Sequence, residues 1–172
     1  MSEKRYESIS IQEVLDRANI GRSTFYMHFR DKDALLVYGF QDLRELLRDA
    51  QTATVASPTK SYEKVIGFSL AMFEHVYEHK KLYKALVGGY GWDIVRQEME
   101  ETLIQLMKEE VRPFFKKRGS SEIPFELFVH FLGSTFISVT TWWLENRRPI
   151  SPKEIDVLFR ELVVPTLLDN LN

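Results

Sequence analysis

Apolar residues recur at three- and four-residue intervals along most of the chain, and no stretch alternates with the two-residue period of a strand, so the pattern predicts an all-α fold. Ser10-Ile-Gln-Glu13 has the spacing of a capping box: the Ser10 side chain can bond the first free N–H groups while Glu13 reaches back. A helix is predicted from there to about residue 18, with Ile11, Val14 and Leu15 inward. It ends at Asn19-Ile20-Gly21, where Asn and Gly tolerate left-handed backbone. A second short helix is predicted over residues 22–29. Asp31 then caps a third, whose Leu35, Leu36, Phe40, Leu43 and Leu47 repeat at helical spacing and make it long enough to join two domains.

Residues 51–60 carry no large apolar pattern and include Ser57-Pro58, which predicts a connecting loop and divides a head (1–48) from a body (49–172). In the body, Tyr62, Val65, Ile66, Ser69, Met72, Phe73 and Val76 trace one helix face, and a short helix over 80–87 ends at Gly88-Gly89. A longer helix from about Trp92 turns Val95, Met99, Leu103, Leu106 and Met107 inward. Pro113 is expected to loosen it, and Lys116, Lys117 and Arg118 suit the negative end of its dipole. Two helices close the chain, over 125–145 and 152–171. The second opens with Ser151-Pro-Lys-Glu154, carries the stripe Ile155, Leu158, Phe159, Leu162, Val163 and Thr166, and is expected to bend at Pro165.

With 172 residues, 44% of them hydrophobic, the chain can bury a real core. It contains no cysteine, which excludes disulfides, thiolate metal sites and a cysteine nucleophile. No secretory h-region opens the chain, so a cytoplasmic location is expected. The uncharged run over 127–144 approaches membrane-spanning length, but it includes His130, Ser134, Thr135, Ser138, Thr140 and Thr141, so a helix between protein neighbours and no membrane partner is the reading. The formal net charge of −2 averages over the whole chain. Between Asn19 and Lys32 the balance reverses: three cations (Arg22, Arg30, Lys32) stand against Asp31 alone, for a local net of +2.

Two short helices joined by a three- or four-residue turn, the second bearing Arg22, Ser23, Thr24, Tyr26 and His28, are what a DNA-reading helix-turn-helix needs. Arg can pair bidentately with guanine, Ser and Thr can donate to bases or phosphates, and Tyr offers a hydroxyl to phosphate and a ring to a thymine methyl. Phe25 and Phe29, one turn apart, would anchor this helix to its domain, and Lys32 would meet a phosphate.

The stretch Ile9-Ser-Ile-Gln-Glu-Val-Leu-Asp-Arg-Ala-Asn-Ile-Gly-Arg-Ser-Thr-Phe-Tyr-Met-His-Phe-Arg-Asp-Lys-Asp-Ala-Leu-Leu36 resembles the DNA-binding signature of the TetR family, most specifically over Thr24-Phe-Tyr-Met-His-Phe-Arg-Asp-Lys32. Trp142-Trp143-Leu144-Glu-Asn-Arg-Arg-Pro149 with Ser151-Pro-Lys-Glu154 is similar to the end of some ligand domains of that family. The resemblance implies a helix-turn-helix head followed by a helical-bundle domain for effector binding and dimerisation. It implies DNA-facing residues at Arg22, Ser23, Thr24, Tyr26 and His28, with Lys32 on a phosphate and Ser10 and Gln12 near the DNA backbone. It also implies that the last two helices pair with a second subunit, an interface expected to involve Trp142, Trp143, Phe159, Leu162 and Val163. The family places a further helix before this signature, and only residues 1–8 precede Ile9 here. The head is therefore expected to lack its first helix and to expose Ile9, Ile11, Leu15 and Phe29, through a start assigned too far downstream or a shortened variant.

Phe68, Met72, Phe73, Tyr90, Trp92, Met99, Phe131 and Phe136 are expected to line an effector pocket on the strength of the resemblance, though residues at this spacing also make plain core. His75-Val-Tyr-Glu78-His79 spells the inverted zinc-protease pattern, which keeps a metal-dependent hydrolase as a distant alternative. A solvated helix end is the simpler reading. Gly88-Gly89-Tyr90-Gly91 lacks the Lys-Ser/Thr and the preceding strand of a phosphate loop. The expectation is thus a TetR-like regulator, a repressor binding palindromic operator DNA as a homodimer under a small-molecule effector. It has no catalytic residue, no metal and no cofactor. The alternative from another class is a shortened dimerisation or ligand-binding module that no longer binds DNA.

Overall fold

A computed structural model describes residues 4–56, 63, 65–112, 123–146, 148 and 150–171, and no strand occurs among them. A 3-10 turn over Tyr6–Ser8 leads into α1 (Ile11–Ala18), α2 (Arg22–His28), α3 (Lys32–Tyr38) and α4 (Gln41–Ala56). The body comprises α5 (Ser69–Glu78), α6 (Lys80–Leu86), α7 (Tyr90–Val111), α8 (Phe125–Glu145) and α9 (Pro152–Leu171). Helix α7 packs along α8, α9 lies across α5 and beside α8, and α3 rests on α7. Ser57-Pro58, Pro113 and the Lys116–118 run, about which the sequence made predictions, lie outside the described residues.

Two long helices expected from periodicity are broken. The predicted helix after Asp31 divides at Gly39: the Phe40 N–H bonds the Val37 carbonyl at 3.0 Å, a tightened turn that sends Phe40 into the core while Tyr38 stays exposed. The predicted face, whose Tyr62 lies outside the described residues, breaks over Ile66–Phe68: the chain passes so close to α4 that a Cβ on Gly67 would lie 2.5 Å from Thr54, and the Phe68 N–H donates to Gln51 Oε1 at 3.1 Å. Conversely, α4 continues into the expected loop as far as Ala56, so the boundary at 48/49 falls inside a helix.

Phe73, Phe136 and Phe159, from α5, α8 and α9, meet at centroid separations of 4.7, 5.2 and 6.0 Å, with Phe68 5.6 Å from Phe136 and Trp143 5.7 Å from Phe73. Each such pair contributes about 0.5–1.5 kcal/mol beyond area burial. Beside them the buried Ser69 and Asp156 form a polar cluster with the partly exposed Arg160. Arg160 donates to Asp156 at 2.7 Å and to Ser69 Oγ at 3.0 Å, which fixes the crossing of α5 and α9. Helix α8 is long and apolar enough to cross a membrane by composition, yet half of that stretch is buried within the protein.

This core takes in most of the expected effector lining. Phe68, Met72, Phe73, Trp92, Met99 and Phe136 are all closed into it, while Tyr90 and Phe131 stand exposed. Met72 and Met99 border only a void of about 10 Å³ under α4. The expected interface set divides too. Trp143, Phe159 and Val163 are buried in the subunit's own core, because Ile155, Phe159, Val163 and Leu167 make the inward stripe of α9. Leu158 and Leu162, a turn apart on its other side, are exposed with Trp142.

Candidate nucleic-acid interface

Ser10 caps α1 reciprocally, accepting from the Glu13 N–H at 3.2 Å while Glu13 accepts from the Ser10 N–H at 2.9 Å. The Lys4 ammonium, and then the Ser10 N–H and hydroxyl, pull the Glu13 carboxyl down to about 2. Asn19 ends the helix in the left-handed conformation at φ 53°, and Gly21 enters α2 extended. Leu15 and Phe25 are buried between the two helices, and Phe25 meets Phe29 at 5.6 Å, which in turn meets Tyr38 edge-on at 5.3 Å. Burial of Leu15 corrects its expected exposure; Ile9, Ile11 and Phe29 are half-buried. Asp31 caps α3 by accepting from Ala34 N–H at 2.8 Å, and that bond, with Arg30 second, lowers its pKa.

With Phe25 inward, the 100° advance per residue sets the outward side of α2. Ser23, Thr24 and Tyr26 are exposed on it, and Arg22 and His28, each about 60° from Phe25, are exposed along its flanks. Gln12 is not simply near them. Its Oε1 accepts from Arg22 Nε and Nη2 at 3.0 and 2.9 Å while its own amide donates to Asp16 at 2.7 Å, which holds the guanidinium across the turn in one orientation. The residue missed by the sequence reading is Met27, 73% exposed. A helical wheel anchored on Phe25 would have found it.

Lys32 is placed otherwise than expected. Its ammonium donates to the carbonyls of Tyr6 at 2.9 Å, Ile9 at 3.0 Å and Glu7 at 3.4 Å and sits 4.5 Å over the Tyr6 ring, so its three donors secure the N-terminal segment instead of facing a phosphate. That segment ties head to body. Asp33 accepts from the hydroxyls of Tyr6 at 2.5 Å and Tyr90 at 3.3 Å, and Glu7 accepts from the Gly91 N–H at 3.2 Å. A side chain at Gly91 would sit 2.7 Å from the Tyr6 ring. Burial, and then the Asp33 bond, push the Tyr6 phenol well above its usual range. Beside this seam an open groove of about 560 Å³ runs between Leu36, Leu43 and Leu46 on one side and His75, His79 and Leu82 on the other.

His75 and His79 share a helix face, ring centroids 4.5 Å apart, and burial followed by its neighbour His79 lowers the His75 pKa. Among the described residues no group of three or more His, Asp or Glu side chains converges on a metal position. The other cleft of note, about 650 Å³, lies between α8 and α9 with Phe131, Val139, Trp142, Leu158 and Leu162 on its walls.

Residues 1–38 match the model of bacterial regulatory proteins of the tetR family, and residues 63–164 match that of a transcriptional regulator C-terminal region, TetR_C_8. The chain is 22% identical over 170 residues to YhgD, an uncharacterised HTH-type transcriptional regulator of Bacillus subtilis (strain 168), covering 96% of this chain and 89% of that one. The structure of a TetR transcriptional regulator from Streptococcus agalactiae 2603V aligns with a TM-score of 0.60 at 25% identity, covering 94% of this chain and 85% of that one. A Syntrophomonas wolfei str. Goettingen protein, described as of the TetR family, shares the fold with a TM-score of 0.71 at 16% identity, over 97% and 88% of the two chains.

Proposed function

Because the chain belongs to the TetR family of bacterial transcriptional regulators, it is a DNA-binding regulator rather than an enzyme, and we propose that it acts in the cytoplasm as a homodimeric repressor of a palindromic operator. The observation that carries this is the exposed surface of α2, where Ser23, Thr24 and Tyr26 turn away from the buried Phe25 and Arg22 and His28 stand exposed on its flanks. Arg22, held by Gln12, is oriented for guanine; Tyr26 and the hydroxyls serve the backbone and base edges; Ser10 and Gln12 flank the groove. Two such helices, one per subunit, enter successive major grooves.

The two subunits join through the exposed side of α8 and α9, where Trp142, Leu158 and Leu162 leave apolar surface around the 650 Å³ cleft. A small-molecule effector regulates the dimer by binding the arrangement with separated heads better than the operator-spaced one, which lowers DNA affinity by that difference. Met72 and Met99 support an entry beneath α4: they border the small void against Phe40, Leu43 and Leu47, so a ligand that opened it would displace the helix joining head to body.

Fluorescence anisotropy with DNA from upstream of the protein's own gene, random DNA and a salt series tests the reading. Selective binding is expected, weakened roughly tenfold or more in Tyr26→Ala, whose 54% exposed ring leaves the fold intact on replacement. Equal, weak binding to both DNAs would instead support a dimerising or ligand-binding module.

A further inference from the structure

Among the described residues Met27 is the most exposed large apolar side chain, at 73%, ahead of Leu127 and Leu162 at 60%. It lies about 160° around α2 from Phe25, which places it with Ser23 at the centre of the outward face, between Tyr26 and Thr24. The described residues leave it 73% exposed, and the anchorage of α2 is supplied by Phe25 on the other side. Folding therefore does not account for a methionine at this exposed point of α2.

We infer that Met27 is a specificity-determining residue that reads a thymine through its C5-methyl group, an inference that rests on the proposed DNA binding. The chemistry narrows the choice. Methionine offers neither a strong donor nor a strong acceptor, so it cannot read the hydrogen-bonding edge of a base. The apolar feature that the major groove displays is the thymine methyl. An unbranched thioether with three rotatable bonds can follow that methyl as the helix settles and surrenders its own exposed surface in doing so. Arg22, already fixed by Gln12, reads its base by hydrogen bonding, so the two residues impose different requirements at different positions of each half-site.

The test begins by selecting bound duplexes from a random-sequence pool with the full chain, then replaces each thymine of the selected site by deoxyuridine, which deletes the methyl and leaves the pairing edge unchanged. One position per half-site is expected to show a loss of about fourfold with the wild-type protein, the worth of one buried methyl-sized group. That loss is expected to vanish in Met27→Ala and in Met27→Gln, which keeps the length without the apolar end, and to persist in Met27→Leu. Equal penalties at every position in wild type and both Met27→Ala and Met27→Gln, or no penalty anywhere, would overturn the inference while leaving DNA binding standing. A pool that yields no consensus would overturn the proposed function and this inference together.

Discussion

Replacing Leu162 with aspartate is expected to separate the subunits and weaken operator binding roughly a hundredfold or more. In the single chain Leu162 is 60% exposed, so the substitution touches no buried contact and should leave subunit stability within about 0.5 kcal/mol. In the proposed dimer the same position faces the partner, and a two-fold interface meets every substitution twice. Two carboxylates would be desolvated against Trp142 and Leu158 of the α8–α9 face with no cation on that apolar wall to pair them, at several kcal/mol each. A monomer then holds one recognition helix on one half-site and forfeits the second, effectively intramolecular contact. Sedimentation velocity reads the first effect and anisotropy on the selected operator the second. A Leu162→Asp protein that sediments as a dimer with unchanged affinity would remove α9 from the interface.

Phe25→Ala is expected to abolish DNA binding while the body stays folded. Phe25 is 2% exposed and pins α2 to the head through Phe29 and Tyr38. Removing a buried phenyl ring costs about 3–5 kcal/mol, a large share of what so small a head can supply. The chain's three tryptophans, Trp92, Trp142 and Trp143, all lie in the body. Their fluorescence therefore follows the body and the core it shares with Tyr6, Phe40, Leu43 and Leu47, to which Phe25 does not belong, and its urea midpoint is expected to stay unchanged as operator affinity disappears. A coincident fall in the tryptophan midpoint would mean that head and body unfold as one unit through the Tyr6–Asp33–Tyr90 seam.

Helix starts were legible because they are local. Ser10 with Glu13, Asp31 with Ala34 and Ser151 with Glu154 carry their capping partners within three residues, and all three caps form. The break at Ile66–Phe68 was not legible, since Thr54 beside Gly67 and Gln51 bonding the Phe68 N–H arrive from α4; the break at Gly39 is local, and apolar periodicity alone ran across it. Lys32 shows the same limit at the DNA-binding face: its charge and position suit a phosphate, and only the path of Tyr6 to Ile9 reveals three carbonyls converging on it. In the body the aromatic spacing of Phe68, Phe73 and Phe136 fits a pocket lining and a packed core equally well. What separates them is whether α9 delivers Phe159 into the same space, which it does. The α9 stripe was read too broadly for a related reason, because Leu158 and Phe159 are neighbours in sequence but turned about 100° apart, which takes Phe159 into the core and leaves Leu158 exposed.

The central claim is that two copies of α2 read DNA as a symmetric pair, and selection from a random-sequence pool followed by sequencing tests it most directly. The expected result is a palindromic consensus whose half-site centres are about 10–10.5 base pairs, or a multiple, apart. A consensus without two-fold symmetry, or no enrichment over the starting pool, would contradict it.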